Sequence, residues 1–380
     1  MNPRVAALLE QGQSIWQDDI ARSMLTGGSL ASMIKDVGIR GVTSNPTIFE
    51  KAIAGGSDYD EQIAGLIKDG KSASDIFVAV SVEDIRNACD LFRPLYDVSE
   101  GADGFVSIEV APGLARDASG TREQVRKLWD AVDRPNLMVK IPGTVEGAPI
   151  VEEMLSEGKN INITLLFSIE AYERVANAYI AALETRHAAG LPVDKIASVA
   201  SFFVSRVDTA VDKLIDEKLA DADDAAVRTR LEALKGKAAV ANAKLAYDLF
   251  KDLFHSDRFE TLRAVGARPQ RPLWASTGTK NPAYPDTLYV DTLIGPHTVN
   301  TMPGKTIQAF LDHGEVRRTV DENVEAAAQV MRDLEAVGIE FKNVTDQLEN
   351  DGINLFIKSY DQLLAGVEEK RAALAEAVGA

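Results

Sequence analysis

Residues 137–144 read Leu-Met-Val-Lys-Ile-Pro-Gly-Thr, an apolar run that is interrupted by Lys140 and stopped by Gly143. Continuous aliphatic residues are typical of a strand that is buried on both faces of a parallel sheet. A lysine ammonium in such a strand loses its hydration, which favours the neutral, nucleophilic amine. Lys140 is therefore a candidate for covalent catalysis. The structural alternative is a lysine at a strand end whose head reaches water or pairs with a carboxylate.

Short apolar runs alternate with longer amphipathic stretches along the whole chain. Eight runs are predicted to be strands: Ser14–Asp18, Gly41–Asn45, Phe105–Ala111, Leu137–Ile141, Ile161–Phe167, Ile196–Phe203, Leu273–Ser276 and Thr298–Met302. Helices are predicted between them, among others over Thr121–Val132, Ala148–Gly158, Ile169–Ala188 and Lys305–Gly314. This alternation indicates an α/β protein with a parallel sheet. Eight repeats favour a closed (β/α)8 TIM barrel over an open doubly wound sheet.

Two connections are longer than a barrel requires. About 60 residues separate the second and third strands, and about 70 separate the sixth and seventh, which predicts helical insertions after strands 2 and 6. Extra C-terminal helices are predicted near Val320–Ala336 and Asp346–Ala375. The last helix presents one packing stripe, formed by Ile353, Phe356, Tyr360, Leu363 and Leu364. No linker-like tract divides the chain, so a single domain over residues 1–380 is expected.

The composition excludes several classes of function. Of the 380 residues, 46% are hydrophobic and 26% are charged, as in ordinary soluble globular proteins. A net charge of −17 repels nucleic acid and acidic membranes, so neither is an expected partner. The one cysteine, Cys89, rules out an internal disulfide, and with no signal-peptide pattern the expected location is the cytoplasm. The sequence leaves the oligomeric state open, a homo-oligomer included.

Polar side chains gather near the carboxyl ends of the predicted strands, where barrels of this kind hold their active sites. Successive side chains of a strand point to opposite faces, so Lys140 is expected in the barrel interior while its aliphatic neighbours face the helices. The same alternation places Glu109, Asn162 and Thr164 inside and Leu165 outside. Further polar residues stand at the ends of the other strands: Asp18, Asn45, Ser201, Arg206, Ser276 and Lys280.

An amine, two carboxylates and several amides and hydroxyls suit Schiff-base catalysis. Imine formation requires a proton donor for the departing oxygen, and cleavage of the neighbouring carbon–carbon bond requires a base. The positively charged imine then accepts the electrons, so no metal or cofactor is needed, and the four histidines lack metal-ligand spacing. The segment Ser276–Lys280 follows the seventh strand and combines hydroxyls with a cation, which fits a phosphate site.

Four segments of the chain resemble the transaldolase family, and the match extends over most of the sequence. They are Gly41–Thr47 (GVTSNPT), Val139–Thr144 (VKIPGT), Gly158–Ser168 (GKNINITLLFS) and Ser201–Arg206 (SFFVSR). The resemblance implies a class I aldolase-type barrel of the non-oxidative pentose phosphate pathway. The implied enzyme transfers a dihydroxyacetone unit from sedoheptulose 7-phosphate or fructose 6-phosphate to glyceraldehyde 3-phosphate or erythrose 4-phosphate. The length and the Ser-Thr-Gly-Thr-Lys segment resemble a longer bacterial subgroup.

The resemblance also implies catalytic roles for four residues. Lys140 forms the Schiff base. Asp18 is the acid and base for carbon–carbon cleavage. Glu109 and Thr164 hold the water that carries protons during imine formation.

Six further residues are implied to bind substrate. Asn45 and Asn162 contact the three-carbon unit, Ser201 lines the same site, and Arg206 binds phosphate. Ser276 and Lys280 are candidates for completing the phosphate site, although many family members have Ser-Phe-Arg where this chain has Ser-Thr-Gly-Thr-Lys.

Two rival functions differ from the transferase in their chemistry. The first is a lyase that releases free dihydroxyacetone, as fructose-6-phosphate aldolase does, but such lyases are shorter and lack the helical insertions. The second is a barrel that only binds sugar phosphates, in which Lys140 has no special reactivity. The presence of amine, acid and base together favours the transferase.

Overall fold

Eight parallel strands close into a barrel in the computed structural model, which describes residues 1–54 and 56–379. The strands are β1 (Gln13–Gln17), β2 (Gly41–Val42), β3 (Phe105–Glu109), β4 (Leu137–Pro142), β5 (Ile161–Leu166), β6 (Ser198–Phe203), β7 (Arg271–Ala275) and β8 (Thr298–Met302). They pair in chain order, and β8 pairs with β1 to close the barrel. The predicted (β/α)8 barrel is thus confirmed.

Helices surround this barrel and fill both long connections. They are α1 (Pro3–Glu10), α2 (Arg22–Thr26), α3 (Ser29–Ser32), α4 (Pro46–Ala54), α5 (Asp60–Lys68), α6 (Ala73–Val98), α7 (Ala118–Val132), α8 (Ala148–Ser156), α9 (Ile169–Ala188), α10 (Ser205–Asp221), α11 (Ala225–Leu234), α12 (Ala238–Phe254), α13 (Asp257–Arg263), α14 (Leu288–Asp291), α15 (Gly304–His313), α16 (Val324–Ala336) and α17 (Phe341–Gly379). The predicted insertions are α4–α6 after β2 and α10–α13 after β6. Among the residues described, no helix combines the length and apolar character that a membrane span requires.

Some elements begin or end elsewhere than the sequence predicts. Strand β2 ends at Val42 instead of Asn45, because Asn45 takes part in starting α4: its Oδ1 accepts a hydrogen bond from the amide of Ile48 at 3.1 Å. Helix α16 begins at Val324 instead of Val320, because the amide of Val320 donates to the carbonyl of Ile294 at 3.0 Å. The early end of β2 bears on the candidate site, because Asn45 then takes no part in the backbone hydrogen bonding of the sheet.

Strand β4 sets the level of the polar residues inside the barrel. The strand is buried along its whole length, as a parallel strand covered by helices should be. Its register places Lys140 opposite Glu109 on β3 and opposite Asn162 on β5. The strand pairing therefore aligns an amine, a carboxyl and an amide at one height.

A bulge in β5 overturns one prediction about its faces. The register with β6 shifts between Ile163 and Leu166, and Leu165 takes a left-handed φ of 59°. A bulge inserts one residue and reverses the alternation beyond it. Leu165 consequently approaches Gly352 of α17 at the barrel mouth, while Leu166 lies beside Gly143 with Ile163. The prediction that Leu165 faces the helix layer is wrong, but Asn162 and Thr164 precede the reversal.

Candidate active site

A cavity of about 350 Å³ opens at the carboxyl ends of the strands. Eight predicted site residues line it: Asp18, Asn45, Lys140, Thr164, Ser201, Arg206, Ser276 and Lys280. The other two, Glu109 and Asn162, lie directly behind this lining, and each is hydrogen-bonded to a residue that forms it. The structure thus brings all ten predicted residues together at one end of the barrel.

Lys140 reaches the cavity from β4 and is only 5% exposed. Its Nζ donates to the backbone oxygen of Ser44 at 3.0 Å and lies 3.1 Å from Oε2 of Glu109. The loop after β2 and the end of β3 therefore fix the position of the amine. This geometry holds a single nitrogen at the cavity wall, with a carboxyl within proton-transfer distance.

Glu109 and Thr164 each keep one buried oxygen without a hydrogen-bond partner among the described residues. These atoms are Oε1 of Glu109 and Oγ1 of Thr164. Burial raises the pKa of Glu109, and the neighbouring Lys140 opposes that rise. Buried polar atoms in native proteins bind a protein group or an ordered water. Both oxygens are therefore suited to hold a water next to the amine.

Asp18 stands at the end of β1, across the cavity from β4. Its Oδ1 accepts a hydrogen bond from Oγ1 of Thr43 at 2.7 Å. Burial raises the pKa of Asp18, while Lys140, this hydrogen bond and more distant cations lower it. Asp18 and Glu109 are thus two carboxyls whose buried environments favour the protonated form more than water does.

Both polar atoms of the Asn162 amide are hydrogen-bonded within the barrel. Its Nδ2 donates to Oγ of Ser107 at 3.0 Å, and its Oδ1 accepts from Oγ of Ser201 at 2.7 Å. Ser201 lines the cavity, whereas Asn162 lies behind it. Asn162 therefore fixes the Ser201 hydroxyl, and its direct contact with a substrate stays a prediction.

Cations surround the mouth of the cavity. The guanidinium of Arg206 lies over the rings of Phe203 and Phe356, at 5.2 and 5.9 Å from their centroids. Burial lowers the pKa of Arg206. Lys280 and Lys51 also line the cavity. A chain with a net charge of −17 thus concentrates three cations where an anionic substrate would enter.

Ser276 lies in the loop after β7, in a conformation that side chains rarely adopt. Its φ is 56°, and its Oγ lies 2.9 Å from Oγ of Ser205 at the start of α10. Because a left-handed φ is strained for a residue other than glycine, its surroundings must hold it there. Ser276 and Arg206 are thereby placed on the same side of the cavity.

Several residues of the site were not predicted from the sequence, or were predicted to have another role. Thr43 and Ser44 stood in a quoted motif, and Ser107 shares the interior face of β3, so a signal existed for all three. No sequence signal located Lys51 at the cavity. Phe356 was predicted as a packing residue of the last helix, yet it also lines the cavity and contacts Arg206. Where α17 crosses the barrel depends on tertiary packing.

The chemistry available at this site is that of the Lys140 amine together with the carboxyl groups of Glu109 and Asp18. Among residues 1–54 and 56–379, no group of three or more His, Cys, Asp or Glu could hold a metal ion. The buried amine, the two carboxyls of raised pKa and the hydroxyls can together form and hydrolyse an imine. They can also move a proton on either side of it.

Comparisons with known proteins agree with this arrangement. The family described as Transaldolase/Fructose-6-phosphate aldolase matches residues 15–367. The transaldolase of Trichodesmium erythraeum is 51% identical over 361 residues, which are 94% of this chain and 95% of that protein. The transaldolase of Saccharopolyspora erythraea is 48% identical over 370 residues, with 97% and 98% covered. The chain belongs to the transaldolase/fructose-6-phosphate aldolase family, which confirms the predicted resemblance.

Proposed function

We propose that this protein is a transaldolase. It transfers a dihydroxyacetone unit from a ketose phosphate to an aldose phosphate through a Schiff base on Lys140, within the non-oxidative pentose phosphate pathway. The observation that carries the proposal is the buried Nζ of Lys140, which is held 3.1 Å from Glu109 at the wall of a cavity lined by cations. Relatives named transaldolase at 46–51% identity support it.

Imine formation begins with attack of Nζ of Lys140 on the ketose carbonyl. The carbonyl oxygen must then leave as water, for which it needs protons. A water bound by Oε1 of Glu109 and Oγ1 of Thr164 would supply them, since both oxygens are buried and otherwise unpartnered. The raised pKa of Glu109 suits this role, because a carboxyl of raised pKa holds a proton at higher pH and can donate it.

Carbon–carbon cleavage follows when Asp18 accepts the proton of the substrate hydroxyl on the second carbon beyond the imine carbon, which becomes the aldehyde carbon of the leaving aldose phosphate. The electron pair of the breaking bond moves to the iminium nitrogen, and an enamine remains on Lys140 while the first aldose phosphate leaves. An acceptor aldose phosphate then takes up the three-carbon unit by the same steps in reverse. Water finally hydrolyses the imine and frees the amine.

The phosphate group binds at the cations of the mouth. Arg206 presents a planar guanidinium that contacts the rings of Phe203 and Phe356, and an arginine fork matches the geometry of phosphate oxygens. Lys280 and Ser276 line the same cavity and complete the phosphate site. Asn45 contacts the three-carbon unit, and Ser201, fixed by Asn162, lines its site. A cytoplasmic location and the oligomeric state stay predictions.

The rival lyase would release dihydroxyacetone instead of passing it on. A transferase must keep the enamine from being protonated until an acceptor arrives, which requires a covered site. Helix α17 covers part of the mouth, since Leu355, Phe356 and Ser359 line the cavity. This cover favours transfer over release.

An assay with fructose 6-phosphate, with and without erythrose 4-phosphate, tests the function. We expect sedoheptulose 7-phosphate to form only when the acceptor is present, with no more than a trace of free dihydroxyacetone. Chromatography of the sugar phosphates and an enzymatic assay for dihydroxyacetone measure the two products. Steady release of dihydroxyacetone without acceptor would establish the lyase instead.

Replacing Arg206 by Ala should weaken binding of phosphorylated substrates. We expect KM for fructose 6-phosphate to rise roughly 10- to 100-fold with little change in kcat, because a charge-assisted phosphate contact contributes that much to binding. Unphosphorylated fructose is the internal control, and its kcat/KM should not change. An equal loss with both sugars would mean that Arg206 supports the fold of the site and not the phosphate.

Replacing Thr43 by Val removes the hydrogen bond that stabilises ionised Asp18. The pKa of Asp18 should therefore rise further, and the acidic limb of the kcat profile should move to higher pH. The direction follows because cleavage needs the ionised carboxylate. The buried Thr121, whose hydroxyl bonds the carbonyl of Leu114 on the outer layer, gives the control Thr121→Val. An unmoved acidic limb in Thr43→Val would remove Asp18 from the cleavage step.

A further inference from the structure

The loop after β7 carries two of the proposed phosphate ligands. It comprises residues 276–287, between β7 and α14, and Ser276, Gly278 and Lys280 of this loop line the active-site cavity. Lys280 is exposed, so its own burial does not fix where its ammonium lies. Contacts made elsewhere in the 276–287 loop therefore decide whether this cation stands at the cavity.

A second environment attracts the ammonium of Lys280. Lys280 also lines a groove of about 590 Å³ beside α10. This groove is rich in carboxylates, since its lining includes Asp208, Asp212, Asp216 and Glu217. Opposite charges attract one another over several Å near a protein surface. A loosely held loop would thus allow Lys280 to turn from the active-site cavity towards the acidic groove.

Helix α10 contacts the loop region through one of its faces. Three side chains spaced three and four residues apart lie on the same side of this helix: Ser205, Asp208 and Asp212. Their partners are Ser276 at the start of the loop, Tyr289 in α14 and Tyr284 within the loop, at 2.9, 2.8 and 2.6 Å. Of these partners, Tyr284 belongs to the part of the loop that follows Lys280. The contact between Tyr284 and Asp212 is therefore the one that can fix that part.

Tyr284 is seated between Asp212 and the backbone of Gly236. Its hydroxyl donates to Oδ2 of Asp212, and Oδ1 of the same carboxylate accepts from the amide of Gly236 at 2.9 Å. Gly236 has a φ of 69°, and a Cβ there would lie 2.7 Å from Cζ of Tyr284. The ring thus occupies the space that a side chain at position 236 would take. Because Asp212 is only 8% exposed, its charge-assisted hydrogen bonds are strong.

Hydrogen bonds inside the loop connect Tyr284 to Lys280. The amide of Tyr284 donates to the carbonyl of Asn281 at 3.1 Å, and Oγ1 of Thr279 donates to the carbonyl of Pro285 at 3.0 Å. Both sequence neighbours of Lys280 are thereby tied to Tyr284 or to the residue after it. Fixing the ring of Tyr284 on α10 consequently limits where Lys280 can lie.

We propose that Tyr284 is a positioning residue for the phosphate of the sugar substrate. By holding the 276–287 loop against Asp212 and Gly236, it keeps Lys280 at the active-site cavity and away from the acidic groove. This inference rests on the proposed function, since it requires that the cavity bind a sugar phosphate. It also gives the helices inserted after β6 a part in substrate binding, because Asp212 and Gly236 both belong to that insertion.

Steady-state kinetics of Tyr284→Phe with fructose 6-phosphate and saturating erythrose 4-phosphate test this role. The variant loses the hydroxyl but keeps the ring. We expect KM for fructose 6-phosphate to rise roughly 3- to 10-fold, the effect of about one hydrogen bond. The value of kcat should change little, because a phosphate contact stabilises the bound substrate and the transition state alike. For unphosphorylated fructose, kcat/KM should not change, and an equal loss with both sugars would overturn the proposal.

Two other variants separate this contact from general support of the fold. Tyr289→Phe removes the matching hydroxyl bond to Asp208, but the backbone of Tyr289 stays bonded to Nδ2 of Asn300, so KM should stay unchanged. Gly236→Ala should raise KM as Tyr284→Phe does, because its added Cβ displaces the ring of Tyr284. An unmoved KM in Tyr284→Phe or Gly236→Ala, or an equal rise in Tyr289→Phe, would overturn the proposal.

A double-mutant cycle tests whether Tyr284 acts through Lys280. Adding Tyr284→Phe to Lys280→Ala should raise KM no further than Lys280→Ala alone, because two changes that remove the same contact are not additive. Full additivity would give Tyr284 a role apart from Lys280 and overturn the proposal. Failure of the proposed function has a different signature: the unchanged protein would then form no sedoheptulose 7-phosphate. An active enzyme whose KM does not respond to Tyr284→Phe refutes the positioning role alone.

Discussion

The contact between Nζ of Lys140 and Oε2 of Glu109 is the interaction on which the proposed function depends. Both side chains are almost completely buried, so each charge would be unfavourable there without the other. The register of β3 and β4 places the two residues opposite one another. The backbone carbonyl of Ser44 also accepts a hydrogen bond from Nζ of Lys140 and helps to fix its position. In the proposed mechanism this nitrogen attacks the ketose carbonyl, and the neighbouring carboxyl lies close enough to exchange a proton with it.

The two ends of the barrel each have a cavity, and the two cavities are lined by different side chains. At the carboxyl end, Lys140, Asp18 and the cations Lys51, Arg206 and Lys280 line one cavity, to which α17 also contributes. At the amino end, a separate cavity of about 440 Å³ is lined by Arg263, Arg268 and Arg271. Because the chain has a net charge of −17, the cations at the carboxyl end would have to overcome the field of the whole chain to attract an anion.

Much of the fold and most of the site could be predicted from the sequence, because both follow from local patterns. Eight apolar runs predicted eight strands, and alternation along β3, β4 and β5 predicted which polar residues enter the barrel. The prediction failed for Leu165, since a bulge depends on pairing with β6 and leaves no mark in the period of β5 itself. It missed the role of Phe356 in the cavity, because a stripe on a helix does not reveal what the stripe packs against. The amino-end cavity was missed for the same reason: its arginines come from separate elements.

Borohydride trapping in the presence of fructose 6-phosphate tests the central claim most directly. Three lysines line the carboxyl-end cavity, Lys51, Lys140 and Lys280, so peptide mapping by mass spectrometry can decide between them. The buried amine beside Glu109 should be the one reduced to a stable sugar adduct, and Lys140→Ala should show none. An adduct on Lys51 or Lys280, or no substrate-dependent adduct on the unchanged protein, would contradict the account.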